Sequence, residues 1–138
     1  MEYDIIKQRD GFIVREKGKE YTVNLRDRLL QFSVKVIRFL MKLPSNKEYD
    51  VFRYQLSKSS TSIGANYEEA QSTSAKEFIQ KVRIALREAN ESKYWLTILD
   101  ELSLGDAQTR KELINEVEEI SLILGAIVSK MAKRMKCD

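Results

Sequence analysis

Residues 61–78 read TSIGANYEEAQSTSAKEF, a glycine and a crowd of small hydroxyl residues set between two long helical patterns. Three readings compete for it: a phosphate-cradling loop, a catalytic turn, or the place where two helices pack and reverse. A phosphate loop needs glycines at fixed spacing behind a strand, so that backbone N–H groups converge on the anion. Neither G-x-x-x-x-G-K-S/T nor G-x-G-x-x-G occurs here, and no strand pattern precedes the stretch. A serine nucleophile needs a base, and without a single histidine only a lysine is left to serve. What remains is a helix end, a turn and a helix start. Ser74 followed by Glu77 is a capping box placed directly before Phe78. Gly64 falls inside the preceding helix, where glycine costs about 1 kcal/mol relative to alanine. Close packing of a neighbouring helix is the expected reason for it.

Working outward, the apolar residues fall on helical stripes. Leu25, Leu29, Phe32, Val36, Phe39 and Leu43 are spaced 4-3-4-3-4. Asn24 is the expected N-cap, and Pro44 ends the segment. A second helix is predicted over Tyr49 to Gln71, with Phe52, Leu56, Ser60, Ile63, Tyr67 and Ala70 inward. A third, from Ala75 to Leu102, carries Phe78, Val82, Ala85, Ala89, Ser92, Leu96 and Leu99. Leu104-Gly105-Asp106 restarts the chain into a fourth with Leu113, Val117, Ile120, Leu124, Ile127 and Met131. Four amphipathic helices joined by short loops predict an all-α, antiparallel up-down-up-down four-helix bundle over residues 24–138. Residues 1–23 form a separate arm. There, GFIVREKGKEYTV around Lys17-Gly18 reads as a short β-hairpin or extended arm added to the bundle. Apolar residues off the main stripes (Ile79, Leu86, Trp95, Ile98, Ile114 and Ile123) predict a second buried strip and hence a homo-oligomer.

Composition limits the chemistry. The chain has 138 residues, one cysteine, Cys137, and no histidine. Zinc sites, Cys-His nucleophiles, Ser-His-Asp triads and Glu-x-x-His di-iron sites are therefore not expected, nor is any cofactor. No apolar run approaches the roughly 18 residues of a membrane span, and no leader pattern opens the chain, so a cytoplasmic protein is expected. The net charge of +3 is small. Glu112, Glu116, Glu118 and Glu119 at the start of the last helix, with Lys130, Lys133, Arg134 and Lys136 at its end, suit the helix dipole.

Two polar sets remain. Gln55, Ser59, Ser62, Asn66 and Glu69 flank the core side of the second helix, and Lys81, Glu88, Glu91 and Trp95 that of the third. Asn66 and Glu88 are placed to meet across that seam, the alternative being that both face solvent at its rim. Paired carboxylates at Glu88 and Glu91 invite glycosidase or metal chemistry, but they lie on one helix with no pocket pattern beside them. Arg83, Arg87, Asn90 and Tyr94 recur at i, i+4, i+7 and i+11 on the opposite face. Arginines beside an exposed aromatic make a phosphate-plus-stacking surface; an ordinary solvated helix face has the same composition.

Residues 56–99 resemble the four helix bundle protein family, which includes proteins encoded in ribosomal-RNA intervening sequences and the accessory variability protein of diversity-generating retroelements. The matching pieces are Ser62-Ile63-Gly64-Ala65-Asn66 with Glu69-Ala70, Ser74 with Phe78, then Ala85-Leu86, Glu88, Glu91 and Tyr94-Trp95-Leu96. The resemblance implies a left-handed antiparallel bundle, commonly a homopentamer. In retroelement relatives the pentamer is a basic barrel that binds nucleic acid and a reverse transcriptase. It also marks Ser62, Gly64, Asn66, Glu69, Glu88, Glu91 and Trp95 as motif and inter-helix packing residues.

The expectation is a non-enzymatic oligomeric scaffold that binds RNA or an RNA-associated protein, with Arg83, Arg87 and Tyr94 as its first contact candidates. The alternative is a protein–protein assembly module with no nucleic-acid binding.

Overall fold

The computed structural model describes the backbone of residues 4–8, 11–16 and 19–137, and side chains from 24 to 136. Four helices make up the body: α1 Leu25–Met41, α2 Lys47–Ala70, α3 Ala75–Glu101 and α4 Ala107–Cys137. The expected reversal at Lys17-Gly18 lies outside the described residues. On either side of it the backbone runs as three antiparallel strands, Asp4–Gln8, Gly11–Glu16 and Lys19–Val23, one more than a two-stranded hairpin supplies.

Each helix starts where the sequence offers a side-chain acceptor to an orphan backbone N–H. Asn24 accepts from Asp27 N at 3.1 Å, Asn46 from Tyr49 N at 2.8 Å, Ser74 from Glu77 N at 3.3 Å and Asp106 from Thr109 N at 2.9 Å. The end of α3 is closed differently. Ser103 takes the left-handed conformation at φ 55°, and the Leu104 and Ser103 N–H groups bond back to the Leu99 and Asp100 carbonyls at 2.9 and 3.0 Å. This is a Schellman closure with serine in the place glycine usually holds.

Consecutive helices pack side by side and antiparallel, and the expected stripes form one core. Phe32, Leu56, Ile63, Leu96, Leu99, Ile120 and Leu124 are among its fully buried members. Phe52 and Met131 pack at its edge. The off-stripe apolar residues behave differently from expectation. Ile79 and Ile123 are buried within the single chain, while Leu86, Trp95 and Ile114 lie half-buried against the core. The intrachain bundle therefore absorbs most of the strip assigned above to a partner.

Two arginines fasten the loops. Arg53 donates to the carbonyls of Leu43 and Pro44 and pairs with Asp50 at 3.0 Å, fixing the α1–α2 connection. Arg110, almost fully buried, donates to Asp100 at 2.7 Å and to the carbonyls of Leu104 and Gly105 at 2.7 and 3.1 Å. Guanidinium is suited to this, because its planar fork satisfies several carbonyls at once.

Candidate functional site: the α2–α3 seam and the outer face of α3

The two family-motif segments lie on α2 and α3, and the antiparallel pairing of those helices brings most of them to one seam. Small hydroxyl residues let it close. At its centre Ser92 Oγ donates to Ser59 Oγ at 2.8 Å, both side chains fully buried. Ser59 in turn donates to the Leu56 carbonyl at 3.4 Å. Toward one end Lys81 pairs with Glu69 at 2.8 Å. Toward the other, the Trp95 ring meets Phe52 edge-on, centroids 6.3 Å apart, and Tyr94 at 5.5 Å. Among the described residues, the Trp95 indole N–H and the Ser121 hydroxyl are buried without a hydrogen-bond partner.

Ser62 and Asn66 spend their polar groups locally. Ser62 Oγ donates to the Lys58 carbonyl, and Asn66 Nδ2 to the Ser62 carbonyl at 2.8 Å. The expected Asn66–Glu88 contact does not form, and the register explains why. With Ser59 opposite Ser92, antiparallel helices bring Asn66 level with residue 85. That is three residues from Glu88, or about 4.5 Å along the axis.

Glu88 is half-buried in the seam's outer wall, with neither a hydrogen bond nor an ion pair among the described residues. Its carboxyl pKa is raised, first by desolvation and then by the charge of Glu91, against the pull of Lys58 and Arg87. Glu91 is exposed one turn further on. Gly64 departs from the motif's other members by facing α1. A Cβ placed there would sit 3.5 Å from Leu29 Cβ, an ordinary contact, so the approach is close but a methyl would fit.

Arg83, Arg87, Asn90 and Tyr94 stand on the outer face of α3, all exposed, Tyr94 at 62%. Neither Arg83 nor Arg87 makes an ion pair among the described residues. The other bundle arginines on α1, α2 and the start of α4 are mostly committed elsewhere. Arg26 pairs with Glu68, Arg28 with Glu116 and Glu119, Arg53 with Asp50 and Arg110 with Asp100. The Ser59–Ser92 pair was the contact that sequence reasoning missed. Its signal was present, a serine on the α3 apolar stripe and another beside the α2 stripe, but their opposition depends on register.

A concavity lies between α1 and α4, a groove of about 770 Å³ with Lys35, Arg38 and Lys42 on one wall and Asp106, Glu112 and Glu116 on the other. Among the described residues there is no group of three or more His, Cys, Asp or Glu side chains arranged to hold a metal. No described helix is long and apolar enough to cross a membrane. The serine hydroxyls of the seam donate to carbonyls or to each other, so they serve packing.

The family model of the 23S rRNA-intervening sequence protein matches residues 23–126, the whole of α1, α2 and α3 and most of α4. Among solved structures, the chain is similar to a protein of unknown function from the S23 ribosomal protein family of Bacteroides thetaiotaomicron. Identity is 35%, the match covers 75% of this chain and 97% of that one, and the TM-score is 0.69. A comparison with curated proteins gave no match. With the family model spanning most of the bundle and a solved relative of the same fold, the chain belongs to the 23S rRNA-intervening sequence protein family.

Proposed function

We propose that this protein is a non-enzymatic, cytoplasmic, homo-oligomeric bundle that serves as an interaction scaffold for RNA, with Arg83, Arg87 and Tyr94 as its contact surface. The observation that carries the reading is the division among the arginines. Arg26, Arg28, Arg53 and Arg110 are committed to carboxylates and carbonyls, whereas Arg83 and Arg87 stand in line with an exposed tyrosine and make no ion pair among the described residues. Guanidinium groups offer bidentate donors to phosphate, and tyrosine offers a face for an unpaired base. One chain supplies few such groups. A symmetric oligomer repeats them, which raises the local potential without raising the charge per chain. The resemblance to pentameric relatives makes five copies the proposed number.

Titration of labelled structured RNA at low salt tests this, because phosphate contacts are strongest there. Binding that weakens with salt, and loses about one unit of salt slope per arginine in Arg83→Ala and Arg87→Ala, is expected. Absence of binding at low salt would overturn the RNA part. It would leave the second reading, a protein–protein assembly module, which the acidic pair Glu88 and Glu91 beside Arg87 favours because it repels polyanions.

A further inference from the structure

The groove between α1 and α4 has two walls of opposite charge that do not close on each other. Lys35, Arg38 and Lys42 recur at i, i+3 and i+7 on one edge of α1, all three exposed. Asp106, Glu112 and Glu116 face them from α4. Phe39 and Leu113, each almost fully buried, form the floor, and the Gly105 backbone lies against the Phe39 ring at one end. Two turns back along α1, Arg28 does reach across to Glu116, at 2.6 Å, and that bridge marks the other end. Within the groove the walls stay apart. Among the described residues none of its three cations makes an ion pair.

The acids have partners, yet their wall stays negative. Glu116 and Glu119 share the single guanidinium of Arg28. Glu112 accepts from Gln108 Nε2 at 3.0 Å, a neutral donor. Asp106 accepts from the Thr109 hydroxyl and N–H, which hold its carboxyl below the usual range, and the nearby charge of Lys42 adds to that. From Asp106 to Glu116 the groove follows about 15 Å of helix. Its volume of about 770 Å³ is that of a small-ligand site.

We infer that this groove binds a short dipolar peptide, acidic toward Lys35, Arg38 and Lys42, basic toward Glu112 and Asp106, and apolar over Phe39 and Leu113. Charge selects the occupant. A polyanion would meet the carboxylates of α4, and a polycation the cations of α1. An uncharged apolar ligand would desolvate both walls and pair with neither. A ligand with both signs, one on each side of an apolar body, answers both walls. The length is that of about four extended residues, which suits a peptide segment. The site lies on other helices than Arg83, Arg87 and Tyr94, so it stands or falls independently of RNA binding there.

Capped tetrapeptides with a Leu-Leu middle test it: one with Glu and Lys ends, one with two Glu ends, one with two Lys ends. Binding is read at low salt from the amide chemical shifts of the isotopically labelled full chain. The Glu–Lys peptide is expected to shift the Gly105 and Thr109 amides and to bind about tenfold more tightly than either like-charged peptide. Two variants at exposed positions then reverse one wall each. Lys35→Glu with Arg38→Glu and Lys42→Glu should turn the preference to the Lys–Lys peptide, and Glu112→Lys should move it toward the Glu–Glu peptide. A misfolded variant could not gain a new preference in this way. Equal binding of the three peptides, shifts that miss the groove, or variants that leave the preference unchanged would overturn the proposal. So would a wild-type preference for the Glu–Glu peptide, since the three cations alone would then decide.

Discussion

The α2–α3 and α1–α4 seams solve the same problem by different means. At α2–α3 the sequence supplies Ser59, Ala85, Ala89 and Ser92, and the helices approach until two hydroxyls meet in the core. At α1–α4 it supplies long charged side chains. Arg28 reaches Glu116 at 2.6 Å and Glu119 at 2.7 Å, and beyond them the helices stand apart around the 770 Å³ groove. Desolvation works against the Arg28 charge, yet the two carboxylates hold its pKa above the ordinary value. The lesson concerns side-chain volume: small residues let backbones close, whereas ion pairs hold helices at a distance set by their own length.

The largest expected effect lies at the end of the open seam. Gly105 sits at φ 77°, and a Cβ there would lie 2.5 Å from the buried Phe39 ring and 3.2 Å from Leu43 Cδ2. Left-handed strain and overpacking together make Gly105→Ala cost about 3 kcal/mol in urea unfolding. Unchanged stability would mean that Phe39 and Leu43 give way at the groove end. Next is the closed seam. Ser59→Ala leaves the Ser92 hydroxyl without its acceptor and is expected to cost about 1 kcal/mol. Adding Ser92→Ala should return most of that, because neither partner is then orphaned. Strictly additive losses would show that the two serines do not act as a pair. Across the open seam, Arg28→Met is expected to cost about 1 kcal/mol or less, since its pairs are part-exposed, and to cost less still in high salt. A salt-independent loss would mean that packing by the side-chain stem holds that seam.

The smallest effect depends on pH. The Glu88 pKa is raised in the folded chain, by desolvation and then Glu91. Its stabilising contribution is therefore complete below the unfolded carboxylate range and lost as pH rises through the folded pKa. Glu88→Gln should raise Tm at neutral pH. That gain should fade in acid, below the carboxylate range of about 4. A gain of equal size at both ends would assign the effect to packing.

The comparison also shows what a single sequence can reveal. Helix bounds were legible because stripe spacing and caps agree: Asn24, Ser74 and the Leu104-Gly105-Asp106 break all fall at helix ends. Asn46 was not recognised as a cap, so the start of α2 lay two residues earlier than expected. Which residues meet between helices was less legible. Asn66 and Glu88 have the right sidedness but the wrong level, while Ser59 and Ser92 have both. Level is fixed by how loops and core volumes set the helices against each other, which periodicity does not encode. The same limit hid an exposed apolar stripe on the outer side of α1. Leu30, Val34, Ile37 and Met41 have helical spacing, but the dominant stripe through Leu25 and Phe32 had already accounted for that helix. Ile79 and Ile123, read as partner-facing, are core in the folded chain.

Light scattering on the wild-type protein at micromolar concentration decides whether copies of the chain assemble. The expected mass is a whole multiple of 16.1 kDa, fivefold for the proposed pentamer. A stable species with the mass of one chain would contradict it.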